Sequence, residues 1–387
     1  MAVTRAYLDY NASAPLLAAA RAAVVDALDI AANPSSVHEE GRAARRVIEE
    51  ARRSVAALVG ARPEHVVFTS GATEAASTLL APDWKMGRGA VRMSRLFVSE
   101  ADHPCILGGG RFPPAQVSRI GVDSAGIVDV EALAGALAAH DKTEGLPLVA
   151  IHGANNETGV IQPIGRIAGI VKQAGGVLVV DAVQAAGRIP IDISAGYADY
   201  LILSSHKIGG PKGVGAIVAG ADLMMPSPLM NGGGQEKGHR GGTENLAGIA
   251  GFGAAARAAL SGLATIDQVR GHRDEIEAIV RALVPDAEFF GTGAPRLANT
   301  TFFAIPGAKA ETVQIAFDLA GVALSAGSAC SSGKVGPSHV LKAMGHGEGN
   351  GALRVSIGAA TGASDIEAFR AALTGIAMRR AGKERAA

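Results

Sequence analysis

Five short runs constrain this chain more than any other feature: Val66-Val67-Phe68-Thr69, Leu96-Phe97-Val98, Leu148-Val149-Ala150-Ile151, Val177-Leu178-Val179-Val180 and Tyr200-Leu201-Ile202-Leu203. Each is apolar almost throughout instead of at alternate positions. A strand buried on both faces reads that way, whereas a strand with one wet face alternates. Helical patterns separate the runs, notably at 131–139 and 164–174, and residues 215–218 supply a further strand beside the last one. Such alternation predicts the α/β class, with a mainly parallel sheet covered by helices on both faces.

The ends of the chain frame that unit. A helix is expected from about Pro15 to Ile30. Ser36, followed by Glu39, has the spacing of a capping box and is expected to open a long helix that Gly60 stops. The arginines of that helix are expected on its solvated face. Beyond the glycine-rich loop 231–245 and an alanine-rich helix to about Leu263, the pattern changes to a strand at 300–305, a helix near 311–319 and a strand near 354–357. The expected division is a large α/β domain, 16–262, and a smaller α+β domain made of 1–15 plus 263–387. The last residues, from about Met378, are expected to fray.

Bulk properties exclude several functions. Formal net charge is zero over 387 residues, which removes the electrostatic case for nucleic acid or an anionic membrane as partner. The N-terminus lacks a signal-peptide stretch, and no run is expected to span a membrane, so a cytoplasmic location is expected. Only Cys105 and Cys330 are present, which excludes a disulfide framework and a metal site built from cysteine clusters.

In open α/β sheets, ligands sit at the carboxyl ends of the strands. There this sequence places Thr73, His103, Asn155, Asp181, Gln184, Ser204, His206 and Lys207. Singly, Thr73 reads as a helix cap, His103 as a loop histidine and Asp181 as a turn residue. Lys207, in Ser204-Ser205-His206-Lys207-Ile208-Gly209-Gly210-Pro211, reads either as a surface lysine or as a Schiff-base nucleophile. Together they describe a site for pyridoxal 5'-phosphate: a lysine for the aldehyde, Asp181 for the pyridine nitrogen, and Gly71-Ala72-Thr73 opening a helix toward the phosphate, with Ser204 and His206 completing the cradle.

Further motifs occur in order along nearly the whole chain: Tyr7-Leu8-Asp9-Tyr10, Asn33-Pro34-Ser35-Ser36-Val37-His38, Thr69-Ser70-Gly71-Ala72-Thr73-Glu74, Asn155-Asn156-Glu157-Thr158-Gly159, Asp181-Ala182-Val183-Gln184, Arg240-Gly241-Gly242-Thr243-Glu244-Asn245 and Gly327-Ser328-Ala329-Cys330. In this the chain resembles the cysteine desulfurases of the class V aminotransferase group, which supply sulfur for iron–sulfur clusters. The resemblance implies a fold-type I pyridoxal-phosphate-dependent transferase. It gives Lys207 the internal aldimine, Asp181 the ring nitrogen, and Gln184 and Asn155 the hydroxyl side of the ring. His103 stacks on the ring and moves protons, and Ala72, Thr73, Ser204, Ser205 and His206 bind phosphate. Thr243 reaches the phosphate of a neighbouring subunit, implying a homodimer with shared active sites. Arg354, with Asn155, holds the substrate carboxylate.

The resemblance makes Cys330, in a run of small residues of the small domain, the nucleophile. Lys207 removes the Cα proton of L-cysteine, the Cys330 thiolate takes the sulfur as a persulfide, and L-alanine leaves. An iron–sulfur scaffold or another sulfur-acceptor protein then receives the sulfur. No resident metal is expected, and Cys330 is the one group placed to ligate an iron–sulfur cluster in transit. Selenocysteine lyase and class V aminotransferase are the enzyme alternatives, and a silent scaffold that binds sulfur-assembly partners is the alternative of another class. Cys105 receives no role. Ala75-Ala76-Ser77 and Asn11-Ala12-Ser13-Ala14-Pro15 depart from the family pattern in local helix and loop hydrogen bonds.

Overall fold

The fold is seen in a computed structural model that describes residues 5–221, 224–327, 338–347 and 351–384, the last four by backbone alone. The strands are β1 (Ala6–Tyr7), β2 (Val66–Thr69), β3 (Asp83–Met86), β4 (Gly89–Ser99), β5 (Val117–Ile120), β6 (Leu146–His152), β7 (Val177–Asp181), β8 (Tyr200–Ser204), β9 (Gly215–Ala219), β10 (Met225–Pro226), β11 (Glu288–Phe289), β12 (Thr300–Ala304), β13 (Val322–Ala323), β14 (Ser325–Ala326) and β15 (Leu353–Ser356). The helices are α1 (Ala18–Leu28), α2 (Glu39–Leu58), α3 (Ala72–Leu79), α4 (Pro104–Leu107), α5 (Val130–Ala138), α6 (Ile164–Gln173), α7 (Leu246–Gly262), α8 (Ile266–Leu283), α9 (Ala310–Leu319), α10 (His339–Ala343) and α11 (Ala363–Glu384).

The large sheet has the order β10-β3-β4-β6-β7-β8-β9-β2, with β5 beside β4. Strands β5, β4, β6, β7 and β8 pair in parallel, and β9 runs against β8. The uninterrupted apolar runs have the burial they demand: β2, β7, β8 and β9 are buried at every position. One core lies between this sheet and α2, α5, α6 and α7, and includes Val55, Leu133, Ile167 and Phe252. The opposite face packs on α3 and Trp84.

A second sheet, β11-β12-β15-β14, is antiparallel throughout. Its core joins Phe303, Phe317, Ile276 and Phe369 to Leu8 from the N-terminal segment. That segment enters because β1 pairs in parallel with β13. Residues 6–8 therefore pack with the last third of the chain.

Several local expectations are corrected. The cap of α2 is His38, whose Nδ1 accepts from the Gly41 N–H at 3.2 Å. Ser36 is instead held two residues upstream, in a turn where its own N–H reaches the Asn33 carbonyl. Arg52 of α2 is buried, because Glu236 from the glycine-rich loop meets it with two 2.8 Å bonds. The chain beyond Met378 continues α11 to Glu384. The helical run Leu246–Leu283 is long and apolar enough to cross a membrane by composition. Here, however, its residues 248–256 are buried within the fold, where α7 packs on α1 and α2.

Candidate functional site

The carboxyl ends of β2, β6, β7 and β8 open into a cavity of about 590 Å³. Thr73, His103, Asp181, Gln184, Ser204, His206 and Lys207 line it together, as does Ala72. The sequence spreads these residues over more than a hundred positions, and the parallel register of β6, β7 and β8 brings them to one edge.

Lys207 closes a single 3-10 turn, Ser205–Lys207, directly after β8. The turn is braced from outside by the N-terminal segment. Ala14 N–H donates to the His206 carbonyl at 2.9 Å, and Leu17 N–H to the Gly209 carbonyl at 2.9 Å. Gly209 makes this possible twice over: its φ is +83°, and a Cβ there would stand 2.7 Å from Leu17 and 3.2 Å from the Pro15 carbonyl. The Lys207 Nζ donates to the carbonyls of Asn11 at 2.7 Å and Ala12 at 2.9 Å.

Asp181 ends β7 and is buried; its Oδ1 accepts from the Val183 N–H at 3.0 Å. Burial raises its pKa to about 6, with the nearby Asp102 adding to the effect. Such a carboxyl is a strong acceptor for a cationic N–H brought into the cavity. Helix α3 begins at Ala72 without a side-chain cap on Gly71, so its first-turn N–H groups are not spent on a local oxygen. They face the same cavity as Ser204 and His206. Strand β9 comes this close to the turn because Gly215 has no Cβ, which would lie 2.7 Å from the Gly71 carbonyl carbon. A buried carboxylate, a lysine amine, and a helix start flanked by hydroxyl and imidazole make a donor set that fits pyridoxal 5'-phosphate.

His103 caps α4, with its Nδ1 accepting from the Cys105 N–H at 3.2 Å and lying 3.0 Å from the Cys105 Sγ. Burial, and then the charge of Lys207, hold its pKa down to about 4. It is a neutral ring at physiological pH, with Nδ1 occupied and Nε2 left to act. His206 is likewise held to about 4, by burial and by Lys207 and Lys212. Cys105 lines the cavity, but burial pushes its thiol well above the usual range, so it stays protonated.

Other expected residues stand differently. The side chain of Asn155 is directed at backbone: Nδ2 donates to the Ala101 carbonyl, and Oδ1 accepts from Glu157 and Thr158 N–H. Ser205 is fully buried and turned toward Gly210, away from the cavity. Thr243 is exposed, outside the cavity of its own chain. Its loop is fixed to the site's edge by Arg240, whose Nε reaches Glu74 Oε1 of α3 at 3.1 Å. Arg354 on β15 is 1% exposed; it donates to Asp9 Oδ1 at 2.7 Å and to the Asn156 carbonyl at 3.1 Å. Cys330 lies outside the described residues. Its described flanks meet at Glu157: Ser338 Oγ donates to Glu157 Oε2 at 2.5 Å, and a Cβ on Gly327 would come within 3.2 Å of the same oxygen. His339 Nε2 reaches the Asp102 carbonyl at 2.9 Å, beside His103.

One part of the site went unnoticed in the sequence. His152, paired in register with Asp181, lines the cavity. Its Nδ1 meets Asp102 Oδ1, while Asp102 also accepts from the N–H groups of Ser99 and His152. Gln162 fixes the tautomer. Its Oε1 accepts from the Val128 N–H, so its Nε2 donates, both to the Gly126 carbonyl and to His152 Nε2. His152 therefore carries its proton on Nδ1, toward Asp102. The signal was available, since His152 ends an apolar run as Asp181 does.

With this geometry in place, the comparisons with known proteins decide the family. The sequence profile of the aminotransferase class-V family matches residues 6–369. A cysteine desulfurase of Frankia sp. (strain EuIK1) is 40% identical over 93% of this chain and 88% of its own length. The chain belongs to the class-V aminotransferases, among the cysteine desulfurases. A cysteine desulfurase of Cereibacter sphaeroides is 38% identical, covering 94% of this chain and 93% of that one. The solved structure of a NifS-like protein from Rickettsia africae ESF-5 superposes with a TM-score of 0.86 at 32% identity, over 96% of this chain and 99% of that one. This member of the cysteine desulfurases is thus an α/β enzyme of fold-type I that depends on pyridoxal 5'-phosphate.

Proposed function

We propose that this chain takes sulfur from L-cysteine, releases L-alanine and holds the sulfur as a persulfide on Cys330. The observation that carries the reading is the meeting of Lys207, Asp181, His103 and the start of α3 in one cavity, with Arg354 and both described flanks of the Cys330 segment close by. The bound cofactor supplies an electron sink for the carbon skeleton. Asp181 would keep a proton at the ring nitrogen, and the N–H groups of Ala72 and Thr73, with Ser204 and His206, would hold phosphate. Gln184, which lines the same cavity, would meet the ring's hydroxyl. Arg354 offers its fork to the substrate carboxylate. Lys207, as a free amine, takes the Cα proton, and neutral His103 passes protons at Nε2. The Cys330 thiolate attacks the substrate sulfur, an S–S bond forms as the C–S bond breaks, and one proton is delivered to Cβ and another returned to Cα to give alanine.

Asn155 and Ser205 support this site through backbone order. Thr243 serves the cavity of a second copy, which makes the enzyme a homodimer with shared active sites. The sulfur passes to an iron–sulfur scaffold or another acceptor protein in the cytoplasm. The chain divides into domains 16–262 and 1–15 plus 263–387. The test is the Cys330→Ala variant assayed for sulfide and alanine from L-cysteine, with and without a scaffold protein. Loss of both products with the visible cofactor band retained is expected. Full sulfide release by the variant overturns the role given to Cys330.

A further inference from the structure

Asn11 belongs to the departure Asn11-Ala12-Ser13-Ala14-Pro15, which the activity above leaves without a purpose. It is fully buried, and each of its polar groups has a partner. Its backbone N–H donates to Ser356 Oγ at 3.0 Å. Its amide Nδ2 donates to the Asn156 carbonyl at 3.2 Å and to Thr300 Oγ1 at 2.9 Å. Its Oδ1 accepts from Asn299 Nδ2 at 3.0 Å. The amide cannot be flipped, because Asn156 offers only a carbonyl oxygen and Asn299 Nδ2 is itself fixed by the Ile357 carbonyl. Thr300 accepts because its own hydroxyl hydrogen is given to Asn299 Oδ1.

The backbone carbonyl of Asn11 faces the cofactor lysine. It accepts from Lys207 Nζ at 2.7 Å and from Gln184 Nε2 at 3.0 Å. The next carbonyl, that of Ala12, takes a second bond from Lys207 Nζ at 2.9 Å. The partners that orient this segment stand on β12, on β15 and in the turn after β6, whereas the groups it receives stand after β7 and β8. A fully satisfied buried network is stiff, and a misplacement of about 1 Å at a reacting group can cost on the order of a hundredfold in rate.

We propose that Asn11 is a positioning residue for Lys207: its clamped side chain aims the carbonyls of Asn11 and Ala12 as a seat for the free lysine amine, so that strands β12 and β15 set where the amine waits and returns. The proposal rests on Lys207 being the cofactor lysine. It does not rest on the fate of sulfur.

The test uses full-length apoprotein given pyridoxal 5'-phosphate, with the growth of the visible band followed in the absence of L-cysteine. Asn11→Ala is expected to form the band about tenfold more slowly than the parent. With L-cysteine, its kcat falls by a similar factor while KM changes less than about twofold, a split that general damage to the fold does not produce. Ser356→Ala removes only the bond to the Asn11 N–H and is expected to slow band formation about twofold, with an unchanged melting temperature. If Asn11→Ala fails to fold, Ser356→Ala and Asn299→Ala decide the question in its place. Unchanged band formation in the folded variants overturns the proposal. Because that arm contains no substrate, it fails separately from the desulfurase reading.

Discussion

The cavity has two walls, and they are made in opposite ways. The large-sheet wall comes from consecutive strands in register, each delivering its polar residue where the apolar run stops: His152 and Asp181 are paired neighbours on β6 and β7, and Lys207 follows β8. The facing wall, Ala12 and Ser13 of the N-terminal segment, is held from behind by residues far apart along the chain. Arg354 meets Asp9 across 345 positions, and Asn11 meets Ser356 across the same separation. The first wall is positioned by backbone pairing, the second by side-chain hydrogen bonds. Substitutions on the first should therefore remove chemistry, and substitutions on the second should misplace groups that remain able to react.

Lys207→Ala is the most severe break. It is expected to abolish the covalent cofactor and to lower turnover by at least about a thousandfold, read as loss of the visible band together with sulfide release. Arg354→Lys tests the facing wall. A point charge replaces a planar fork that already spans Asp9 and the Asn156 carbonyl, so KM for L-cysteine is expected to rise about a hundredfold with a smaller change in kcat. A result confined to kcat would remove Arg354 from substrate binding.

A third prediction concerns stability. Arg52 and Glu236 are both buried and joined by two bonds, with the Phe68 N–H held by the same carboxylate at 2.9 Å. Removing one partner strands a buried charge, so Arg52→Ala is expected to cost about 3–5 kcal/mol in denaturant unfolding. Because Glu236 and Lys237 adopt positive φ, the loop that carries Thr243 should loosen first, seen as early hydrogen exchange at 231–245.

The mildest prediction is read against pH. Burial raises the Glu157 carboxyl to about 7, opposed by Ser338 and by Arg354. A carboxyl raised in the folded state adds stability at acid pH, and that contribution fades as pH climbs from its unfolded value of 4.5 through 7. Glu157→Gln is therefore expected to gain stability relative to the parent at pH 8 and not at pH 4, by up to about 3 kcal/mol. A gain of equal size at both pH values would show that ionisation of Glu157 is not its source.

The same division explains what the sequence made visible. The sheet, its parallel core and the residues ending its strands were readable because each apolar run states its own burial and each stop marks the functional edge. His152 was missed although it sits at such a stop, because its histidine ends a run whose next glycine already reads as a turn. Asn11, Asp102 and the Arg52–Glu236 pair left no local pattern. A buried polar residue acquires its partner from elsewhere in the chain, and Arg52 lies in a helix whose other arginines are mostly exposed. The cap of α2 misled for a related reason: His38 can accept a hydrogen bond as serine does, and the turn at Asn33 took Ser36 away from the helix.

The pairing of β1 with β13, and of Asn11 with Ser356, has a consequence for how this enzyme is made. Asn11 is synthesised well before Thr300 and Ser356, the residues on which its segment docks. Every strand of the large sheet, and Lys207 with them, precedes residue 227, whereas β12 and β15, which hold that segment, come after residue 299. A chain stopped short of residue 356 lacks the Ser356 hydroxyl that holds the Asn11 N–H, and is expected to take up pyridoxal 5'-phosphate more slowly than the full chain.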